Sequence, residues 1–158
     1  MGKGVNTVEI RTFRDNELIT GISILAVLKY TKKLELSKCM LVEPLLSYSR
    51  VLQALKRANS SIKSVEDLVL KEDVAFSNFN SRYQDSLILT VNSILLFKQM
   101  GLLEIENESV NYLGERFVFS TPGLGDKATA RIKAAKKLSE ILMKGEASDL
   151  YLSLRIEL

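Results

Sequence analysis

Apolar positions recur at helical spacing through most of this chain and alternate singly near its two ends. In residues 7–13, TVEIRTF, Val8 and Ile10 fall on one side and Glu9 and Arg11 on the other, which predicts a short strand. Asp15 or Asn16 can then cap a helix reaching about Lys32. Ile22, Leu25 and Leu28 share one face of it, and Leu18, Ile19 and Ala26 widen that face to the breadth of a core helix. The next stretch, LSKCMLVEPLLSYSRVLQALKRAN, is helical in composition but contains Pro44. Proline lacks a backbone donor and clashes with the preceding turn, so the pattern predicts either a kink or two helices. In the second case Pro44 occupies the first turn of a helix ending near Asn59. Ser64 is placed to cap a short helix to about Lys71.

A helix is predicted from about Arg82 to Met100, capped by Asn80 or Ser81 and stopped by Gly101. Leu87, Val91, Ile94 and Leu95 recur at helical spacing with Ile88 and Leu89 beside them. Gln84, Asp85, Thr90, Ser93, Lys98 and Gln99 are left for a thin solvated strip. Residues 102–120 read as strands and turns: Leu103 and Ile105 alternate with glutamates, Asn107 to Ser109 turn, and Val110 and Tyr112 return. A further turn at Gly114 to Arg116 precedes Phe117, Val118 and Phe119. Residues 126–144 form an amphipathic basic helix with Ala128, Ile132, Ala135, Leu138 and Leu142 inward and most of its cations outward. In residues 149–158, Leu150, Leu152, Leu154, Ile156 and Leu158 alternate as in a terminal strand with an edge to fill. Together these predict one domain spanning residues 1–158, α+β but mainly α-helical, with a helical core over residues 16–100. A winged-helix-like central helix plus β-hairpin would be flanked by short N- and C-terminal strands.

Charge changes this picture more by its distribution than by its total. The formal net charge is +3, but residues 28–57 hold seven cations against two anions. Residues 58–121 hold five against nine, and residues 122–145 six against two. Alternating basic and acidic segments point to charged partners, although a solvated face accounts for each patch taken singly. The single cysteine, Cys39, allows no intrachain disulfide and reads as a small buried hydrophobe in a reducing compartment. The N-terminus lacks the apolar stretch of a signal peptide, and the run Leu18 to Leu28 is too short to span a bilayer. A cytoplasmic protein with no membrane contact is expected.

Candidate chemistry is sparse. The chain has no histidine, which removes the commonest general base and the commonest metal ligand, and one cysteine makes a zinc site implausible. Pro122 to Lys127, PGLGDK, matches neither a Walker loop nor a dinucleotide fingerprint, and an ordinary turn with an Asp cap accounts for it. A small phosphate-ligand enzyme built on Gly123 to Lys127 is the weakest of three readings. No catalytic, cofactor or metal residue is assigned, and the chain is expected not to be an enzyme. Lys127, Arg131, Lys133, Lys136 and Lys137 could track DNA phosphates or meet an acidic partner. The other candidate is the polar cluster before the apolar helix, Asn78, Phe79, Asn80, Arg82 and Tyr83. Its simplest role is a cap: the asparagines tie irregular backbone to the helix start, the phenylalanines staple the entering chain, and Arg82 pairs with Asp73 or Asp85.

The ordered pattern MLVEPLL, SVEDLVL and FSNFNSRYQDSLILTVNSILLFKQMGLLEI resembles the middle component of three-component ABC systems. These are small accessory subunits encoded beside an SMC-like ATPase, and Lamassu-type antiphage defence systems have a similarly placed subunit. The resemblance covers roughly Asn16 to Ile105. It is sharpest at Glu43-Pro44-Leu45-Leu46 and at Asn78-Phe79-Asn80-x-Arg82-Tyr83. The family's usual Asn-Pro near the first helix is absent, where this chain has Asn16-Glu17-Leu18. The resemblance implies a non-catalytic adaptor in antiphage or antiplasmid defence, linking an SMC-like ATPase to an effector subunit, often a nuclease. Hydrolysis and cleavage would then belong to the partners, no cofactor would be bound here, and Asn78 to Tyr83 would shape a partner-docking surface. Contact with duplex DNA inside the complex would fall to the basic helix. The alternative reading is a winged-helix DNA-binding transcriptional regulator.

Overall fold

The computed structural model describes the backbone of residues 3–120 and 122–158, and side chains from Asn16 onward within those limits. It is mostly helical, with one small antiparallel sheet. Helix α1 (Lys3–Thr31) is followed by strand β1 (Lys33–Glu35), then by short helices α2 (Leu36–Cys39), α3 (Val42–Leu46) and α4 (Ser49–Lys56). Helices α5 (Val65–Lys71) and α6 (Asp73–Phe76) lead to the long α7 (Phe79–Gln99). Strands β2 (Leu103–Glu106) and β3 (Ser109–Tyr112), α8 (Gly125–Leu142) and α9 (Ala147–Ser153) complete the chain. No helix among the described residues is long and apolar enough to cross a membrane.

Local chemistry sets most of these boundaries. Pro44 lies in the first turn of α3, where its missing N–H costs nothing, so the segment breaks into short helices rather than one kinked rod. The Ser64 hydroxyl accepts from the Asp67 N–H at 3.1 Å, and the Asp67 carboxylate reaches back to the Lys63 N–H at 3.0 Å. The first satisfies a donor that the first turn of α5 would otherwise leave orphaned, and the second ties the entering chain to that turn. Helix α7 ends in a Schellman motif. Gly101, at φ +74°, donates to Lys98 O, and Leu102 donates to Phe97 O, both at 3.0 Å. Strand β2 follows at once. Asn107 and Glu108, both at positive φ, make the two-residue turn that folds it onto β3.

The strand order is β1-β3-β2, with Leu34 opposite Val110 and Ile105 opposite Val110 on the other side. Helix α1 is the centre of the packing: α7 lies along one side of it and α8 along another, with α4 against α8. Ile24, Leu25 and Leu28 of α1 meet Leu41, Leu45, Leu55, Phe79, Phe97, Leu103 and Leu138 in one core. Each such side chain contributes about 1.5–3 kcal/mol by leaving water.

Several expectations are corrected. Backbone 7–13 lies inside α1, not in a strand, and Asn16 is interior to that helix instead of at its cap. Two alternating pairs are too short a window to oppose a helix already nucleated downstream, since each added residue gains a hydrogen bond. Residues 149–158 are likewise not a strand. Leu150 on α9 and Leu154 at its C-cap, four apart, are both buried, while Leu152 and Leu158 are exposed. Arg155, at φ +59°, then turns the chain through a second Schellman motif, with Arg155 N donating to Leu152 O and Ile156 N to Tyr151 O. Residues 117–119 form no strand. Phe117 and Phe119 pack edge to face at 4.7 Å between ring centroids.

The buried face of α7 is not its most apolar one. Ser86, Thr90, Ser93 and Phe97, spaced four, three and four apart, form the stripe that faces the core. Opposite it on α1 stands Gly21, where a Cβ would lie 2.2 Å from the Phe97 ring. Small side chains let the two helices approach closely. The hydroxyls of Ser23 and Ser93 are satisfied within their own helices, by Ile19 O and Leu89 O, both at 2.7 Å. The consequence on the other side of α7 is that Ile88, Val91 and Leu95 face outward, 77%, 40% and 45% exposed.

Candidate interaction site

The polar cluster at the start of α7 is built into the fold. Arg82 lies over the Tyr48 ring at 4.4 Å and the Phe79 ring at 5.2 Å. Its two terminal nitrogens donate to Ala75 O at 2.8 Å and Pro44 O at 3.0 Å. One planar guanidinium thus ties the end of α6 to α3, using stacking and forked donation that lysine could not reproduce. Burial holds this guanidinium below its usual value, partly opposed by Tyr48. The expected pairing of Arg82 with Asp73 or Asp85 does not form, because the guanidinium turns inward to carbonyl oxygens. Asn78 precedes the helix without a side-chain capping bond.

Next along α7, Asn80 and Gln84 grip the C-terminal segment. The Asn80 side-chain oxygen accepts from the Glu157 N–H, and the Gln84 side-chain amide donates to Glu157 O, each at 2.9 Å. One turn apart on a helix, two amides offer an extended peptide the donor and acceptor that a strand edge would. Tyr83 is buried, with its hydroxyl 3.1 Å from that of Tyr151, which donates to Ser37 O at 2.6 Å. Burial, then the Tyr83 hydrogen bond, push the Tyr151 phenol above its ordinary range. Of the five residues singled out for docking, Phe79 and Tyr83 are therefore enclosed, Asn80 and Arg82 are partly covered, and Asn78 is exposed.

The basic helix α8 divides in a way the sequence pattern missed. Arg131 does not face solvent; it is 2% exposed and pairs with Glu43. Its terminal nitrogens reach the two carboxylate oxygens at 2.5 and 3.2 Å, Thr20 donates to the same carboxylate at 2.8 Å, and Ser23 Oγ lies 3.4 Å away. A side chain committed in this way has no reach to a phosphate outside. The sequence did carry a signal: Ala128, Arg131, Ala135, Leu138 and Leu142 are spaced three, four, three and four, so Arg131 sits on the inward stripe. A cation there calls for a buried anion, and Glu43 in the apolar run CMLVEPLL is the counterpart. Lys127, Lys133 and Lys136 are exposed, and Lys137 is half-buried, 3.6 Å from Glu140.

Residues 122–124 form a 3-10 turn into α8, and Asp126 occupies the first turn of that helix, where its carboxylate opposes a bound anion. Among the described residues, no group of three His, Cys, Asp or Glu side chains converges where it could hold a metal ion. No family model, no curated protein and no solved structure matches this chain.

Proposed function

We propose that this chain is a non-catalytic accessory subunit of an SMC-like ATPase complex in bacterial antiphage or antiplasmid defence, linking the ATPase to an effector subunit. The observation that carries the docking role is the outward stripe of Ile88, Val91 and Leu95 on α7. Spaced three and four apart on a helix of 21 residues, it has the form of half a helix–helix seam awaiting its other half. Further support comes from the segments that carry the family resemblance. Glu43-Pro44 and Arg82 lie far apart in sequence, yet Arg82 donates to Pro44 O and Glu43 anchors α8. Residues of that kind set the shape that presents the stripe.

The test is co-purification of the tagged chain, expressed with its flanking genes, beside a variant carrying Ile88→Glu and Leu95→Glu. Both positions are solvent-facing, so the variant should melt like the parent. Retention of a large ATPase by the parent and its loss from the variant are expected. A parent that retains none of the neighbouring gene products overturns the reading.

A second reading, a winged-helix DNA-binding regulator, is favoured by the strand order β1-β3-β2 with α7 feeding directly into β2. The chemistry of α7 opposes it. The helix that would enter the groove carries Arg82, which is engaged inside the fold, and Lys98, against Asp85 and an apolar outer face.

A further inference from the structure

We propose that the groove between the end of α4 and the outer face of α8 is a binding site for the phosphate backbone of duplex DNA, read without regard to sequence. The groove has a volume of about 350 Å³ and is walled by Lys56 and Arg57 on one side and Lys133, Lys136 and Lys137 on the other. Glu140 is its one carboxylate, and it is already partnered by Lys137 at 3.6 Å. The side chains of Lys56, Arg57, Lys133 and Lys136 make no ion pair or hydrogen bond with any described residue. Cations concentrated on facing walls without counter-charges repel one another, and an incoming polyanion relieves that repulsion while releasing its own counterions.

The geometry extends beyond one pocket. The chain leaves α4 at Arg57 in extended backbone, at φ −70° and ψ 124°. Arg57 also borders two adjoining hollows of about 340 and 300 Å³, which add Arg50 and Lys71 with Glu72 as the anion of both. On α8, Lys133, Lys136 and Lys137 stand three and four residues apart and so present one edge. The result is a track of positive charge drawn from α4, α5 and α8.

Its lining selects the ligand class. An acidic protein segment would need an apolar anchor at the centre of its footprint, and the groove offers only Leu55 and Ala58. Single-stranded nucleic acid would need aromatic faces for its bases, and this groove has none. Phosphates alone need only cations at the right places, which is what remains. The inference rests on the groove and not on the accessory-subunit reading, whose failure would appear in co-purification.

The experiment is fluorescence anisotropy of a labelled mixed-sequence duplex with the full chain, titrated at salt from about 50 to 200 mM. With four unpaired cations engaged, log K should fall against log salt with a slope of about −3.6. The triple variant Arg57→Gln, Lys133→Gln and Lys136→Gln should lose at least about tenfold in affinity and most of that slope. Arg57→Lys with Lys133→Arg and Lys136→Arg, which keeps the charges, should bind like the parent, and so should Lys98→Gln on α7. Melting curves of all variants separate lost binding from lost folding. The inference is overturned if the parent binds no duplex at the lowest salt, or if the triple variant folds and binds equally well. Tighter binding of a polyglutamate peptide than of the duplex would overturn it too, by giving the groove to an acidic protein segment.

Discussion

Arg131 and Glu43, 88 residues apart in sequence, meet as a forked ion pair beneath the surface, with Thr20 and Ser23 of α1 completing its hydrogen bonds. The pair joins α8 to α3 across α1, so three elements depend on two side chains. Burying two charges is costly, and their attraction repays the cost only while both are present. Glu43→Ala or Arg131→Ala should therefore lose about 3–5 kcal/mol, seen as a lower urea midpoint at unchanged slope. Glu43→Leu combined with Arg131→Met should recover most of the loss, because no uncompensated charge remains. A double variant as unstable as either single one would show that shape at this site, and not charge, governs stability.

The contact of Gly21 with Phe97 predicts a different failure. Adding one methyl group at Gly21 places it 2.2 Å from the aromatic ring, so α1 and α7 must separate or Phe97 must leave its position. Gly21→Ala should cost about 1–3 kcal/mol in chemical denaturation. Shortening the neighbour by Phe97→Leu should make the two changes non-additive, with the double variant more stable than the sum of single losses implies. Strict additivity would mean that the two positions do not touch in solution.

Cys39 supplies the pH prediction. Its thiol is fully buried, and burial raises its pKa from 9.0 to about 12, partly opposed by a backbone hydrogen bond. The folded state holds this proton more tightly than the unfolded chain does. The resulting stability is complete below about pH 9 and is lost as pH rises from 9 towards 12. Melting temperature should fall across that window, and Cys39→Ala should flatten the fall while lowering stability modestly throughout. A pH slope identical in the two proteins would refute the assignment. At neutral pH the thiol should react with a disulfide reagent only after denaturant is added.

Much of the fold was legible because local chemistry announced it. The break at Pro44, the cap at Ser64, the stop at Gly101 and the turn at Asn107 each rest on backbone geometry that a few residues decide. Strand β1 was not legible. It has three residues, and its pairing of Lys33 with Asn111 is fixed by a distant hairpin. The face of α7 was misread for a related reason. Hydroxyl residues look polar in sequence, but Ser86, Thr90 and Ser93 are small enough to allow close helix contact, which displaces the larger Ile88, Val91 and Leu95 outward. At the candidate sites, the lysines of α8 were legible as a charged stretch. Their facing wall at Lys56 and Arg57 was not, since only folding brings α4 against α8.

Helix α1 is fastened by two dissimilar joints. Towards α3 and α8 it is bolted, through Thr20 to Glu43 and from Arg131 to Ser23. Towards α7 no side-chain hydrogen bond crosses among the described residues, and the aromatic ring of Phe97 is wedged against the notch at Gly21. Bolts yield to changes of charge and wedges to changes of volume. The same beam can therefore be loosened towards one neighbour while it stays tight towards the other, and the outward stripe of α7 and the cationic groove of α8 hang from different joints.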